Sequence, residues 1–467
     1  MRLRFVLAAF LLPSIASAAT PAYSLRYDAA SETMSVRVCI AESAEAVRFA
    51  ADENAAQSIE GLARDGGGTV EFVEGGWNAR AWHAGECLSY RAMLARIADS
   101  SKHGGGSRHG RDLVTDPDRW LLRVPDADEA EVRVEMPAGY SISAPWHPLP
   151  PDGPAQRFRM APTPPDWLAR VAIGRFTESR VELPGGVLRV ALLDGADAAQ
   201  RANLDRWISS ISHAAATAYG RLPLSDVQVL IVPTRADDEH EPVVFGQSTR
   251  GQGNALTLFV DVTRPASEFD HDWVAVHELS HLFHPYLGSR GAWLAEGLAT
   301  YYQNVLRARA GLLTPEQAWQ QIDAGFARGR GDIRNGNPML EDAGDSHAFM
   351  RVYWSGTAYW LEVDTELRRA SANRLSLDEA LRRFDACCLP SYRRWEPGEF
   401  VAKLDALMGT DVFVRRFREF RARRDFPDLA AVYAGLGIRS GGGELQFDDA
   451  APAASVRRAI MVGETQK

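Results

Sequence analysis

The sequence predicts an α+β fold in which an N-terminal antiparallel β domain precedes a mixed core and a C-terminal helical lobe. In the first third of the chain, short segments place apolar residues at every second position, as half-buried strands do. Strand and helix patterns then alternate, and apolar residues spaced three and four apart run from Thr314 to Tyr433. This order of elements indicates an α+β fold, in which strands and helices occupy separate parts of the chain.

The composition is that of a folded protein with no reason to bind nucleic acid. The chain has 467 residues, of which 46% are hydrophobic and 24% are charged. That length allows about two to four domains. The net charge of -9 gives no reason to expect nucleic acid as a partner. Composition leaves the oligomeric state open.

The N-terminus has the three parts of a secretory signal peptide. Charged Met1–Arg4 precedes the apolar run Phe5–Leu12 and the small-residue cleavage site Ala16–Ala18. The apolar run is too short to span a membrane, and no later stretch is long and apolar enough to do so. We therefore expect a periplasmic or secreted protein with no membrane span after signal removal.

Export makes disulfides plausible for the four cysteines. Cys39 and Cys87 both lie in the predicted β domain and could form one bridge. Cys387 and Cys388 are adjacent, and a disulfide between neighbours is strained, so a bridge and a reduced pair both stay open.

The predicted boundaries divide the chain into five parts. They are a signal peptide at residues 1–18, the β domain at 19–183, the mixed core at 184–325, the helical lobe at 326–440 and a tail at 441–467. The junction between the β domain and the core is placed at the turn Leu183–Gly186. The tail is glycine-rich and is expected to be disordered at its end.

Local patterns predict individual elements within these parts. Predicted strands are Ser35–Ile40, Thr69–Val73, Glu131–Met136, Val187–Leu193, Val227–Val232 and Ala255–Asp261, and an amphipathic helix covers Ala198–Tyr219. The run Lys102–Arg111 contains two histidines, but its glycines favour an exposed flexible loop over a metal site. Arg328–Asp332 and Asn335–Pro338 are predicted to be loops that interrupt the helical lobe.

The segment His277–His281 carries the clearest chemical signal in the chain. If Asp272–His284 is helical, His277 and His281 project from one face, one turn apart, as two ligands of a tetrahedral metal ion do. Glu278 then points beside the ion without binding it, which suits a general base for a metal-activated water. The alternatives are a chance match, because the motif is short, and a structural metal site.

A catalytic zinc ion needs a third protein ligand, and Glu296 is the candidate. Fourteen residues separate Glu296 from His281, enough for the chain to reverse. Its apolar neighbours imply a buried carboxylate, which is costly without a cation beside it. The alternative is a surface acid on an amphipathic helix. His271 and His284 lie off the ligand face and are expected to be structural or to support the ligands.

Together with Trp293–Tyr302, the His277–His281 motif resembles the gluzincin metallopeptidases. It is most similar to the glycyl aminopeptidase family and its aminopeptidase N-like relatives. The resemblance covers patches from Arg170 to Gly437 and implies a thermolysin-like zinc peptidase core with one Zn²⁺ ion. Tyr353–Gly356 takes the place of a Tyr-x-Lys-Gly element, which implies that the Tyr353 hydroxyl stabilises an oxyanion.

A phenol hydroxyl can donate to the negative oxygen that develops when water attacks a carbonyl. The alternative for Tyr353 is core packing on its own helix. Three further tyrosines compete for the role: Tyr301, Tyr302 and Tyr359.

The sequence also departs from these families. Ser355 stands where the element has lysine, and the loop between the two metal-binding helices is shorter. In the aminopeptidases, a glutamate in a Gly-rich element before the metal helix binds the substrate's amine. The corresponding segment here, Phe245–Asn254, contains no acid. Too few residues follow Gly437 for the PDZ domain that often ends glycyl aminopeptidases.

The sequence thus predicts an exported zinc metallopeptidase that acts on peptide or protein substrates. His277, His281 and Glu296 are expected to bind zinc, with Glu278 as general base and Tyr353 at the oxyanion. The strand Ala255–Asp261 is expected to pair with extended substrate. An aminopeptidase is one interpretation. An endopeptidase without amine recognition and an inactive binding protein with a peptidase fold are the alternatives.

Overall fold

The computed structural model describes residues 20–100, 105–125, 127, 129–164, 166–237, 241–333, 337–441 and 444–463. The predicted signal peptide at residues 1–18 lies outside the described residues. Sheets fill the N-terminal part and helices the C-terminal part, so the predicted α+β class is confirmed.

The described residues of the N-terminal part form strands, one short α-helix and two 3₁₀ helices, Glu53–Gln57 and Pro117–Arg119. Its elements are β1 Ala22–Asp28, β2 Thr33–Cys39, β3 Ala44–Ala50, β4 Ile59–Arg64, β5 Val70–Val73, β6 Gly76–Trp82, β7 Cys87–Met93, α1 Leu94–Ala98, β8 Gly106–His109, β9 Asp112–Thr115, β10 Ala130–Glu135, β11 Ser141–Ser143, β12 His147–Asp152, β13 Ala155–Met160 and β14 Val171–Gly174. The strands form a seven-stranded sheet ordered β12-β13-β10-β1-β2-β7-β4, a four-stranded sheet β11-β14-β9-β8 and a three-stranded sheet β3-β6-β5. Pairing is antiparallel except between β1 and β10, which run parallel.

Alternating burial accounts for these strands. In β2, Met34, Val36 and Val38 are buried while the residues between them face solvent. Cys39 at the end of β2 lies opposite Cys87 at the start of β7, and the two form a disulfide. Cys387 and Cys388 are also joined by a disulfide, at the end of a helix of the lobe, so both pairs are bridged.

The predicted flexible loop at residues 102–111 is wrong where the structure describes it. Gly106–His109 and Asp112–Thr115 form a hairpin, while residues 101–104 lie outside the described part. A β-carbon on Gly106 would lie 2.7 Å from the Ile97 carbonyl oxygen. Gly106 therefore permits the hairpin to pack closely on α1. Its presence does not indicate a flexible loop.

The core contains a five-stranded sheet and the helices that carry the site. Its elements are β15 Glu178–Leu183, β16 Gly186–Leu192, α2 Ala198–Ala216, β17 Asp226–Pro233, β18 Val243–Thr249, β19 Ala255–Val260, α3 Ala266–Phe269, α4 Val274–Ser280 and α5 Ala292–Arg309. The strand order is β15-β16-β17-β19-β18, with parallel pairing in the centre and an antiparallel strand at each edge. Strand β15, assigned to the β domain from the sequence, pairs with β16 and so belongs to this sheet.

The predicted substrate strand Ala255–Asp261 is not available for pairing. It corresponds to β19, whose two edges are occupied by β17 and β18. The edge strand on that side is β18, which packs against α4. A periodicity of two identifies a strand but not its neighbours, so the sequence could not separate the inner strand from the edge strand.

The helical lobe follows the core. Its elements are α6 Pro315–Gly331, α7 Phe349–Ser371, α8 Leu377–Cys388, α9 Pro397–Met408, α10 Val412–Arg421, α11 Ala430–Leu436, β20 Ile438–Gly441, β21 Glu444–Phe447 and α12 Ala454–Val462.

The predicted loop Arg328–Asp332 is wrong up to Gly331, because α6 continues to that residue. A β-carbon on Gly325 or Gly329 would collide with Trp354 of α7, so these glycines allow two helices to pack closely.

The predicted tail, residues 441–467, contains regular elements in its described part. Helix α12 buries Val456, Ile460 and Met461 against the main hydrophobic core, and β20 and β21 form a hairpin. The predicted disorder concerns the end of the tail, and residues 464–467 lie outside the described part. Within the described residues, no helix combines the length and the apolar character needed to cross a membrane.

Candidate metal centre

Of the first two candidate ligands, His277 lies on the buried helix α4 and His281 lies in the 3₁₀ turn that follows it. The Asp272 carboxylate accepts hydrogen bonds from the backbone nitrogens of Val274 and Ala275 at 3.3 and 3.1 Å, which satisfies free donors at the start of the helix. A 3₁₀ turn, His281–Phe283, continues α4. The rings of His277 and His281 lie 5.0 Å apart between centroids, and both side chains are buried.

Glu296, in the second turn of α5, reaches both histidines. Its Oε2 lies 3.2 Å from His277 Nε2 and 3.6 Å from His281 Nε2. The three ligand atoms all lie within 4.8 Å of one another. Two imidazole nitrogens and one carboxylate oxygen are the donor set of a catalytic zinc site.

Gln303 orients His277, and the sequence reasoning missed it. The Gln303 side-chain oxygen lies 2.9 Å from His277 Nδ1 and can only accept, so Nδ1 carries the hydrogen. The Nε2 lone pair is therefore directed at Glu296 and the ion position. Gln303 follows Glu296 by two helical turns and shares its face, so a buried amide on that face was the available signal.

His284 performs the same task for His281. The Pro285 carbonyl, 2.7 Å from His284 Nδ1, can only accept, which leaves His284 Nε2 as an acceptor in the neutral ring. His281 Nδ1 lies 3.0 Å from that nitrogen and donates to it, so His281 Nε2 is free to bind a metal. Burial, assisted by the Arg250 charge, holds the pKa of His284 well below its usual value. His284 is a supporting residue, as expected.

Glu278 lies beside the ligands and lines the same cleft. Its backbone oxygen accepts a hydrogen bond from Ser248 Oγ of β18 at 2.6 Å, which ties α4 to the edge strand. A β-carbon on Gly246 would lie 2.6 Å from Glu278 Cγ, so glycine at this position leaves room for the carboxylate side chain. The structure brings Glu278 next to the three ligands but outside their group, as the motif predicts.

Tyr353 on α7 completes the group. Its ring stacks on His277, with 5.7 Å between centroids and 11° between planes, and its hydroxyl hydrogen-bonds to Glu296. Burial, followed by the nearby Glu296 charge, raises the pKa of Tyr353 far above its usual value. The phenol is therefore a hydrogen donor at neutral pH, as an oxyanion partner must be.

The competing tyrosines are committed to other partners. Tyr301 donates to Asp364 at 2.8 Å, Tyr302 donates to Asp378 at 2.8 Å, and Tyr359 donates to the Phe413 carbonyl at 3.0 Å. All three are fully buried. Of the four tyrosines considered, Tyr353 is the one that lines the cleft.

The cleft in front of the ligands has a volume of about 730 Å³. One wall is β18 and the turn after it, from Phe245 to Arg250. Among the described residues that line the cleft, the carboxylates are Glu278, Glu296 and the exposed Asp166. No carboxylate therefore lies on the β18 wall, as the sequence of Phe245–Asn254 indicates.

Comparisons with known proteins agree with this site and fold. Residues 268–355, which carry the metal motif, Glu296 and Tyr353, match the family model of the M61 glycyl aminopeptidases. No curated protein sequence matches the chain. The fold is similar to that of an aminopeptidase N family protein from Idiomarina loihiensis, with 13% identity, 90% of this chain and 78% of that chain covered, and a TM-score of 0.65.

An M1 zinc metallopeptidase from Deinococcus radiodurans has a similar fold as well. It is 14% identical, with 88% of this chain and 95% of that chain covered, and a TM-score of 0.55. The predicted resemblance to gluzincin aminopeptidases is thus confirmed, by a family match over the metal-motif segment and by fold over most of the chain.

Proposed function

We propose that this chain is an exported zinc-dependent metallopeptidase that hydrolyses peptide bonds. The observation that carries the proposal is the convergence of His277, His281 and Glu296 on one point, with Glu278 in the cleft beside them. A mutant of the Deinococcus radiodurans metallopeptidase has been solved bound to a Tyr-Ser-Ala substrate, which supports peptides as the substrate class. Export rests on the signal-peptide pattern of residues 1–18.

The residues of the chain divide the work of hydrolysis between them. Zinc, when bound, supplies a Lewis acid that polarises the substrate carbonyl and acidifies water. The Glu278 carboxylate takes a proton from the attacking water and later delivers it to the leaving amine. The Tyr353 hydroxyl donates a hydrogen bond to the oxygen on which negative charge develops.

The β18 wall supports hydrolysis that does not require a free amino terminus. A buried ammonium group needs an anionic partner, and β18 offers glycine, glutamine and hydroxyl side chains instead. Arg170 stands behind Gln247 and donates to its side-chain oxygen at 3.0 Å, which adds positive charge to this wall. The edge of β18 is available to pair with an extended peptide backbone. We infer an endopeptidase rather than an aminopeptidase.

The test compares the wild-type protein with Glu278→Gln on peptides that share one sequence and carry either a free or an acetylated amino terminus. We expect the wild type to cleave the acetylated peptide at least as fast as the free one. Glu278→Gln should lower kcat by at least about 100-fold, the scale of a lost general base, and should still bind one equivalent of zinc. Zinc content is measured by elemental analysis of the purified protein.

Each outcome bears on a different part of the proposal. Purified protein without stoichiometric zinc, or an unchanged rate in Glu278→Gln, would refute the metallopeptidase. Cleavage restricted to the free amino terminus would refute the endopeptidase and favour an aminopeptidase. Stoichiometric zinc without turnover of any peptide would favour an inactive binding protein with a peptidase fold.

A further inference from the structure

We propose that Arg394 binds a carboxylate group of the substrate and gives the cleft a preference for acidic ligands. The proposal rests on the proposed peptidase function and adds to it the chemical class that the cleft selects. Arg394 belongs to the segment between α8 and α9 and lines the same cleft as Glu278, Glu296 and Tyr353.

Backbone contacts fix the position of Arg394 on the cleft wall. The residue pairs with Tyr286 in an isolated parallel bridge, and the Trp395 nitrogen donates to the Tyr286 carbonyl at 2.9 Å. Tyr286 belongs to the loop between α4 and α5, the two helices that carry the ligands. Arg394 is therefore tied to the loop that connects the metal-binding elements, although it is distant from them in sequence.

A glycine provides the space for the Arg394 side chain. A β-carbon on Gly288 would overlap the Arg394 guanidinium, so the guanidinium lies flat against this residue. Gly288 also has φ of +64°, a backbone conformation that favours glycine. The loop thus holds the planar cation at the surface of the cleft with its hydrogen donors available to a ligand.

The guanidinium has no partner within the described part of the chain, whereas its neighbours are committed. Arg393 pairs with Glu399 at 2.6 Å and stacks on Trp395 at 4.1 Å from the ring centroid. Arg250, at the base of the cleft, donates to the carbonyls of His281 and His284 at 2.5 and 2.9 Å. Among the described residues that line the cleft, Arg394 is the exposed arginine whose guanidinium is free to bind a ligand.

The charge of the cleft favours an anion over an amine. Arg250 is partly buried, and its charge interacts with Glu278 and Glu296 and offsets part of theirs. A bound zinc ion would offset the rest, which leaves the exposed Asp166 as the remaining acid among the described residues that line the cleft. A planar guanidinium can bind a carboxylate through two parallel hydrogen bonds, which suits an acidic side chain or a C-terminal carboxylate.

The experiment compares hydrolysis of matched peptides by zinc-loaded wild type, Arg394→Gln and Arg394→Lys. In the first arm, Glu or Gln is placed at each position around the scissile bond of a peptide blocked at both ends. In the second arm, one neutral peptide carries a free or an amidated C-terminus. We expect the wild type to prefer the carboxylate in one arm by at least about tenfold in kcat/KM, the scale of one charge-assisted hydrogen bond.

The variants decide whether Arg394 is responsible. Arg394→Gln should bring the carboxylate-to-amide ratio close to one, and Arg394→Lys should retain part of the preference. Arg393→Gln is the matched control, because its guanidinium is turned to Glu399, and it should keep the wild-type ratio. The proposal is overturned if the wild type has no preference in either arm or if Arg394→Gln keeps the ratio.

A binding measurement separates this proposal from the peptidase function. Calorimetry on Glu278→Gln gives the Kd of the same peptide pairs without turnover. If no peptide is hydrolysed but the carboxylate member still binds at least about tenfold more tightly in an Arg394-dependent way, the binding site stands and the peptidase fails. If the two peptides of each pair bind with equal Kd values, both when Arg394 is present and when it is replaced, the carboxylate site at Arg394 is refuted. This conclusion does not depend on whether the protein hydrolyses peptides.

Discussion

Gln303 and His284 determine which nitrogen of each ligand histidine faces the ion position. Each forms a hydrogen bond with the Nδ1 of one ligand, at 2.9 Å for His277 and 3.0 Å for His281, so both Nε2 atoms point to Glu296. Without these partners an imidazole can rotate or change tautomer, and metal affinity falls. The ligands themselves were predictable from spacing, whereas their supports depend on which side chains the fold brings behind them.

We expect Gln303→Leu to weaken zinc binding by about 10- to 100-fold, because leucine cannot accept the His277 Nδ1 hydrogen. The dissociation constant is measured by competition with a chromophoric chelator. His271→Gln is the matched control, since His271 is exposed and lies outside the ligand group, and it should bind zinc as the wild type does. Equal affinities for Gln303→Leu and the wild type would contradict this role.

Close contact between α5 and α7 places Tyr353 over the ligands. A β-carbon on Gly297 of α5 would overlap the backbone of Gly356 in α7, and a β-carbon on Gly356 would overlap the Trp293 carbonyl. Trp360 Nε1 donates to the Leu294 carbonyl at 2.9 Å and fixes the same crossing. Gly356 is the last residue of the segment Tyr353–Gly356. The close contact gives this glycine a packing role that the sequence pattern does not reveal.

We expect Gly356→Ala to lower the free energy of unfolding by about 1 to 3 kcal/mol, because the added methyl group separates the two helices. Peptidase activity should fall as well, because Tyr353 and Glu296 lie on the helices that move apart. Gly435→Ala on α11 is the matched control, with nothing within 4 Å of the added atom. It should be neutral or stabilising by up to about 1 kcal/mol. Urea unfolding and the rate of hydrolysis measure both effects, and equal behaviour of the two variants would contradict the packing role.

The β domain and the core are joined by buried polar and apolar contacts. Arg189 of β16 pairs with Asp226 at 2.9 Å and donates to the carbonyls of Ala144 and Trp146 in the β domain at 2.9 and 3.0 Å. A small apolar cluster spans the same junction, with members from both sides: Val114, Ala172, Phe176, Ala191, Leu193, Leu230, Val232 and the partly buried Phe259. The two parts are therefore expected to unfold together.

We expect Arg189→Gln to destabilise the whole molecule by about 3 to 5 kcal/mol, because it leaves Asp226 buried without its cation. Arg180→Gln on neighbouring β15 is the control, since Arg180 and Glu182 form an exposed pair, and it should cost less than about 1 kcal/mol. Urea unfolding followed by tryptophan fluorescence measures both. A similar small loss in the two variants would show that Arg189 does not join the two parts.

The sequence by itself determined the order of strands and helices and the candidate ligands His277, His281 and Glu296. These follow from local periodicity and from helical spacing, which depend only on residues close along the chain. The predicted zinc role of each residue stays a prediction until it is measured. The same local logic misjudged the loops at 106–109 and 328–331, because Gly106 and Gly329 permit close packing and do not mark flexible loops.

The tertiary structure decided which strand lies at the edge of the sheet and which side chains meet in the cleft. It placed β18 rather than β19 at the edge, lined the cleft with Tyr353 while three other tyrosines are buried elsewhere, and packed α12 against the core. It also brought Arg394 beside the loop that follows the ligand helix, more than a hundred residues earlier in the chain. Such contacts depend on strand pairing and helix packing between distant segments, and no local pattern encodes them.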